Sequence, residues 1–422
     1  MSLSAPDWQK EIYLNGLAGK KLNVTVSLTD LEQRARSVMT TRAFDYIAGG
    51  AGLEHTISHN RSAFDKYRII PRMLNDVGTR DTSINLFGKT LPFPLLLSPV
   101  GVLELAHKDA DLAVGKAAAR TSIPFIFSNQ ASVPMEDVSA AMGNSTRWFQ
   151  MYWSKSRDLV ASFAHRAEVS GCSAIVVTLD TTLLGWRTRD LDLAYLPFLE
   201  GKGIAQYTSD PVFQKLMDEP DANPTEKRKI TLHAIAGLMK MTSAYPGGNF
   251  LSKLLSGRPR KAVQKFVSIY SNPALTWSDL SFLRDHTKLP ILLKGILHKD
   301  DASKAVDHGI NGIIVSNHGG RQVDGSVATL DSLPQITKTI NKKIPVLVDG
   351  GIRGGADMFK AIALGADAVC IGRPYAYGLA IAGEQGVYEV IRNFMADFEL
   401  TMALSGCKSV KEIGEGNFVN SL

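Results

Sequence analysis

Gly312-Ile313-Ile314-Val315-Ser316-Asn317-His318-Gly319-Gly320-Arg321-Gln322-Val323-Asp324-Gly325 runs a short, wholly apolar segment straight into a polar, glycine-rich one. The apolar part has no alternation, which is how a strand covered on both faces reads, as in a parallel sheet. Where it ends, a base-capable imidazole, His318, and a fixed cation, Arg321, stand three residues apart. That arrangement suits holding and deprotonating a small anionic substrate. A lone His or Arg is more often a structural residue; here the position at a strand end carries the argument.

Seven further runs of this kind lie at 94–100, 124–129, 147–152, 174–180, 290–295, 345–350 and 368–373. Most are entered by Pro or a small residue and left by a polar residue or Gly. Helical stretches separate most of them, including 109–120, 158–168, 300–307 and 356–364, several with Gly near the end as a helix stop. Eight alternating units predict an α/β fold of the (β/α)8 TIM-barrel type, spanning 92–385, with catalytic groups where strands give way to loops. An open doubly wound sheet fits less well, because no G-x-G-x-x-G follows an early strand.

Two segments fall outside the alternation. Residues 1–91 contain an amphipathic stretch at 29–39 and the break Gly49-Gly50-Ala51-Gly52, predicting a helical cap over one barrel end. Between the fourth and fifth strands the chain spends 181–289, far more than a barrel connection needs, so an insertion over the active-site face is expected. Its middle, 218–229, is polar and Pro-bearing and reads as loosely held, whereas Thr276-Trp277-Ser278-Asp279 resembles a capping box. Residues 386–422 form a C-terminal helix and tail in this reading.

At 422 residues and 45% hydrophobic content the chain can bury a large core. No apolar run approaches the roughly 20 residues of a membrane helix, and no signal-peptide core opens the sequence, so a soluble, cytoplasmic enzyme is expected. The C-terminal Asn420-Ser421-Leu422 is a distant echo of the peroxisomal S-K-L signal, which leaves that compartment open. Cys172, Cys370 and Cys407 are odd in number and widely spaced, reading as buried thiols rather than a disulfide framework or a metal site. The net charge of +6 and the clusters Lys227-Arg228-Lys229 and Arg258-Pro259-Arg260-Lys261 raise nucleic-acid binding, but aromatic interleaving and a recognition motif are missing. A modest positive excess also suits anionic cofactors and substrates.

The strand ends supply a coherent inventory. The fourth offers Thr178-Leu179-Asp180 followed by Arg187, the fifth Lys294, and the sixth His318 and Arg321. The seventh and eighth end in Asp349-Gly350-Gly351-Ile352-Arg353-Gly354-Gly355 and Gly372-Arg373, the expected phosphate cradle of a barrel. Asp180 is placed to support His318 as an imidazolium, and Lys294, ending an apolar strand, needs an anionic partner. The set suggests a small carboxylate substrate beside a phosphorylated cofactor.

These motifs, with Pro290-Ile291-Leu292-Leu293-Lys294-Gly295, resemble the FMN-dependent L-2-hydroxy acid oxidising family from about residue 28 to 378. The resemblance implies a TIM barrel, FMN as cofactor and a homo-oligomer, commonly a tetramer, acting on a small 2-hydroxy acid with O2. It makes His318 the base, paired with Asp180, and Arg187 and Arg321 the clamp on the substrate carboxylate. Tyr46 and Tyr152 match the tyrosines that bond the substrate, and Lys294 the lysine beside the flavin N1 and C2 carbonyl. Ser128, Gln150, Thr178 and Ser316, with backbone at Pro99, Val100 and Gly101, match contacts to the flavin ring or ribityl chain. Asp349, Gly351, Arg353, Gly372 and Arg373 match its ribityl and phosphate end.

Within that resemblance, Gly101 where many family oxidases carry Ala, the stretch Ala194-Tyr195-Leu196-Pro197-Phe198-Leu199, and Trp186 before Arg187 look like lactate 2-monooxygenase. The implied activity is oxidation of L-lactate with retained pyruvate decarboxylated to acetate. An oxidase releasing the 2-oxo acid and hydrogen peroxide is the alternative, and a flavin-binding barrel without turnover the non-enzyme one. No haem-binding segment precedes the barrel in this sequence, so oxygen rather than a cytochrome is the expected acceptor.

Overall fold

The computed structural model describes residues 4–219, 231–414 and the backbone of 418–420. Eight parallel strands close into a barrel: β1 (Leu95–Leu97), β2 (Phe125–Phe127), β3 (Arg147–Met151), β4 (Ile175–Thr178), β5 (Ile291–Ile296), β6 (Gly312–Val315), β7 (Val346–Val348) and β8 (Ala368–Ile371). Each pairs with its sequence neighbour, and β8 closes on β1 through Val369 opposite Leu95. Seven strands lie inside an expected run and are shorter than it, because the polar residues ending each run leave the ladder and enter the loops above it, whereas β5 is as long as its run and extends one residue beyond it, to Ile296.

The absence of alternation in the strands has a direct cause in the packing. Leu96, Ile126, Trp148, Val176, Leu292, Ile314, Leu347 and Cys370 form one buried cluster filling the barrel interior. Their neighbours Leu97, Phe125, Phe149, Ile175, Leu293, Ile313, Val348 and Val369 belong to a second cluster shared with the surrounding helices. Both faces are apolar because both are covered. A hairpin of Ile84–Leu86 and Lys89–Leu91 contributes Leu86 and Leu91 to the inner cluster, with Phe87 edge-on to Trp148 at 5.6 Å between ring centroids. All three cysteines are buried.

The N-terminal residues form helices Ala5–Leu17, Leu28–Val38, Thr41–Ala48 and His55–Ser62. Leu28–Val38 packs against the long final helix Arg373–Leu404, which bends at Ala382 and Gly383. Between β4 and β5 the described residues hold several helices, the longest being Leu232–Ala244 and Arg258–Ile269. The capping box forms: the Thr276 amide donates to Asp279 Oδ2 at 2.9 Å, opening a 3-10 turn that runs into helix Leu280–His286. From 220 onward, the stretch 218–229 expected to be loosely held lies outside the described residues. Among the described residues no helix is long and apolar enough to cross a membrane.

Candidate functional site

Strand geometry places the site. Side chains two residues apart share a strand face, so the position after each interior-facing apolar residue forms the next layer up the barrel. Counting two from the inner cluster reaches Ser98, Ser128, Gln150, Thr178, Lys294, Ser316, Asp349 and Gly372. The apolar filling is thus capped by one polar ring whose seven side-chain-bearing members are all buried.

Lys294 anchors that ring. Its ammonium donates to Ser316 Oγ at 2.7 Å and lies 3.1 Å from Asp349 Oδ2. Burial would pull its pKa down, but the carboxylates of Asp349 and Asp180 outweigh it and hold the group above the ordinary lysine value. Gln150 Oε1 accepts from the Asn129 amide at 3.1 Å, and Ser128 Oγ accepts from the Gln130 amide at 3.0 Å. Ser98 Oγ, Gln150 Nε2, Thr178 Oγ1 and Asp349 Oδ1 are hidden from solvent and lack a protein partner.

Above the ring, His318 Nδ1 meets Asp180 Oδ1 at 2.7 Å and Thr181 Oγ1 at 3.2 Å. His318 Nε2 makes no hydrogen bond among the described residues. The His318 backbone is left-handed, with φ of 58°, a conformation costly for a non-glycine residue and kept where surrounding structure enforces it. Burial lowers the His318 pKa below the ordinary histidine value, against the pull of Asp180. Burial would raise Asp180, but His318 and Lys294 beside it bring it down to about 2. A neutral imidazole backed by a carboxylate anion is the resting state this predicts at neutral pH.

Both arginines of the expected clamp are buried here or line the same space. Arg321 lies over the Tyr46 ring, 5.1 Å from its centroid, and donates to the carbonyls of Tyr46 and Gly49. Burial and the neighbouring Arg187 cation bring Arg321 down to about 9. Arg187 donates to the Arg321 carbonyl and to Gln322 Oε1, each at 3.3 Å. Tyr152 is pushed up to about 12 by burial and by Asp180. A cavity of about 1070 Å³, counting the open solvent at its mouth, is lined by Tyr46, Tyr152, Arg187, Lys294, His318 and Arg321. Asp349, Gly351, Arg353, Gly372 and Arg373 line it as well, as do Pro99, Val100 and Gly101. Asp180, Ser128, Gln150, Thr178 and Ser316 do not face it directly but stand behind or beneath residues that do.

Gly351 has φ of 79°, and a Cβ there would stand 2.1 Å from the Asn60 carbonyl oxygen, so only glycine fits. Arg373 donates to the carbonyls of Ile47, Gly49 and Gly319, tying the N-terminal segment to the β6 loop. Arg353 donates from Nη1 only to the Ile352 carbonyl, and burial beside Arg373 lowers its pKa. Neither guanidinium has a carboxylate partner among the described residues, which suits them to an oxyanion.

An FMN-dependent dehydrogenase model matches residues 35–420. The chain belongs to the FMN-dependent dehydrogenase family. It is 41% identical over 386 residues to an L-lactate oxidase of Lysinibacillus sphaericus, covering 92% of this chain and 90% of that one. It is 40% identical over 409 residues to an FMN-dependent alpha-hydroxy acid dehydrogenase of Schizosaccharomyces pombe, covering 96% and 93%. Among solved structures, mandelate oxidase with (S)-4-hydroxymandelic acid superposes with a TM-score of 0.75 at 36% identity, covering 92% of this chain and 97% of that one. Members of the FMN-dependent dehydrogenase family bind FMN, and the cavity fits it. The partnerless Ser98 Oγ and Asp349 Oδ1 line the cavity and offer polar contacts, Lys294 gives a cation, and Arg353 and Arg373 offer guanidinium groups for a phosphate.

Sequence reasoning missed several residues that build the site. Gln322 Nε2 donates to the carbonyls of Asp180 and Leu183, while its Oε1 accepts from Arg187, so it fixes the β6 loop against the β4 loop. Asn60 and Asn317 exchange amide hydrogen bonds at 2.8 Å, and Asp324 accepts from the amides of Leu53 and Thr56. Three of these lie in the opening motif, yet their partners are too distant in sequence to be read. The insertion adds Leu184, Phe198 and Tyr270 to the cavity wall, and Gln130 joins them from the β2 loop.

Proposed function

We propose that the protein oxidises a small L-2-hydroxy acid, L-lactate among the candidates, with O2 as electron acceptor, releasing the 2-oxo acid and hydrogen peroxide. The observation that carries this is the His318–Asp180 pair, whose partnerless imidazole nitrogen sits in one cavity with Arg187, Arg321 and Lys294. Arg187 and Arg321 hold the substrate carboxylate and so fix the reacting carbon, which removes orientational freedom before chemistry begins. Tyr46 and Tyr152 donate hydrogen bonds to the substrate oxygens, since both phenols stay protonated with pKa values raised by burial. His318 accepts a proton at Nε2, and Asp180 lowers the cost of the imidazolium that results. FMN, when bound, takes two electrons from the substrate and passes them to oxygen. Lys294 would face the pyrimidine edge of the flavin, and Asp349, Gly351, Arg353, Gly372 and Arg373 its ribityl and phosphate end.

The names of the relatives, L-lactate oxidase and 2-hydroxyacid oxidase 1 among them, support release of the 2-oxo acid. Gly101 and the placing of Phe198 on the cavity wall favour a second reading, in which pyruvate is retained and decarboxylated to acetate as in lactate 2-monooxygenase. Product analysis with L-lactate under air decides between them. Equal amounts of pyruvate and peroxide are expected; acetate and CO2 would establish the second reading. A homotetramer and a cytoplasmic or peroxisomal location belong to the same proposal, the first checked by sedimentation and the second by imaging the tagged full-length chain.

A further inference from the structure

Among the polar groups of the cavity wall, the Gln130 side chain is employed by neither the clamp, the base nor the cofactor contacts. Gln130 is 8% exposed, and its backbone is pinned on both sides: its amide donates to Ser128 Oγ at 3.0 Å and its carbonyl accepts from Val102 at 2.9 Å. Its side-chain amide forms no hydrogen bond among the described residues, although the residue lines the substrate cavity. Aromatic rings of the same lining, Phe198 and Tyr270, are held by packing. Phe198 packs edge-on to Tyr46 with centroids 6.4 Å apart, and Tyr270 stacks on Phe266 at 5.1 Å.

The polar atoms of the Gln130 side chain reach the cavity, so a ligand seated there must return a hydrogen bond to this amide for the water it displaces, and one that cannot do so leaves the amide unsatisfied. On the reading above, on which this inference rests, the substrate carboxylate belongs to Arg187 and Arg321 and the reacting hydroxyl to His318. What remains for Gln130 is the substrate's own side chain. We propose that Gln130 selects 2-hydroxy acids carrying a second hydroxyl on the side chain. A primary amide both donates and accepts, so it satisfies a hydroxyl whichever way that group turns, and it brings no charge to balance a second carboxylate. The aromatic wall limits such a side chain to a few atoms.

L-glycerate and L-2-hydroxybutyrate make the discriminating pair, because they differ by a hydroxyl in place of a methyl group. The measurement is the second-order rate constant for anaerobic bleaching of the FMN-loaded protein by each acid, with L-lactate as reference. A site built around a hydrogen bond rejects the analogue lacking it, so the glycerate to hydroxybutyrate ratio should exceed about tenfold in the native protein. In Gln130→Leu the ratio should invert, and Gln130→Met supplies a second apolar replacement of similar length. The ratio is insensitive to losses of overall rate. Bleaching by L-lactate with a ratio near one, or a preference that survives both substitutions, would overturn the role of Gln130 while leaving the proposed function standing. No bleaching by any 2-hydroxy acid would overturn both.

Discussion

His318 Nδ1 and Asp180 Oδ1 stand 2.7 Å apart, across a gap of 138 residues in sequence and between the ends of two strands that each pair with β5. The carboxylate holds one imidazole nitrogen and thereby assigns proton acceptance to the other. Replacing His318 with Gln preserves shape and polarity but not basicity. FMN should remain bound, and anaerobic reduction by L-lactate should slow by at least the roughly 10²–10⁴-fold typical of a general base. Stopped-flow absorbance checks this; reduction at the native rate would remove His318 from the role.

The same pair sets the pH response. His318 must be neutral to accept a proton, and burial places its pKa below 6.5, so kcat/KM should be level at neutral pH and fall on acidification through that lowered value. Asp180 pulls the His318 pKa upward. Asp180→Asn should therefore move the acid limb to still lower pH while reducing the plateau, since the imidazolium loses its counter-charge. A limb that moves to higher pH would contradict the sign of this coupling.

Much of this site was legible because a barrel converts sequence period into height. Once a strand is recognised, the polar residue two positions beyond its last inward apolar one is placed, which is how Thr178, Lys294 and Asp349 were read from the strand ends; Ser128, Gln150 and Ser316 stand in the same layer but came from the resemblance. Tyr46 carried no such signal, because it sits on helix Thr41–Ala48 and reaches the cavity only through tertiary packing; it came from resemblance alone. Gln322 was in plain view beside Arg321, but its function depends on the carbonyls of Asp180 and Leu183, contacts set by the closing of the barrel and by no local pattern.

Gln322 offers a test of that packing. Gln322→Leu removes the donors to Asp180 and Leu183 and the acceptor for Arg187 while keeping similar bulk. The clamp should loosen more than the base, so KM for L-lactate should rise about fivefold, the loss of roughly 1 kcal/mol of binding, with a smaller fall in kcat. Steady-state kinetics report the split. A fall in kcat at constant KM would show that Gln322 acts through His318 instead.

Lys294 is the cation on which the polar ring closes. Lys294→Met leaves Asp349 buried without its counter-ion and removes positive charge from the cofactor site, so FMN should be held less tightly and sulfite, which forms an anionic adduct with the flavin, should bind far more weakly. Sulfite titration needs no substrate and is therefore independent of the base and the clamp. Adduct affinity equal to that of the native protein would place Lys294 away from the flavin.

Gly101 joins the cofactor side of the cavity to the wall that faces the substrate. A Cβ at this position would come within 3.1 Å of both the Cβ and the carbonyl oxygen of Gln130, closer than ordinary packing allows. That carbonyl is held by the Val102 amide at 2.9 Å, so moving it strains that bond. Gly101→Ala should therefore displace the β2 loop at a cost of about 1–3 kcal/mol, a typical range for overpacking. Flavin reduction by L-lactate should persist, since His318 and both arginines are untouched. If the native enzyme retains any pyruvate through reaction with oxygen, the displaced wall should release it sooner, lowering acetate and raising pyruvate and peroxide. Measuring the three products in both proteins checks this, and a rise in acetate on substitution would show that the wall beside Gly101 does not govern retention.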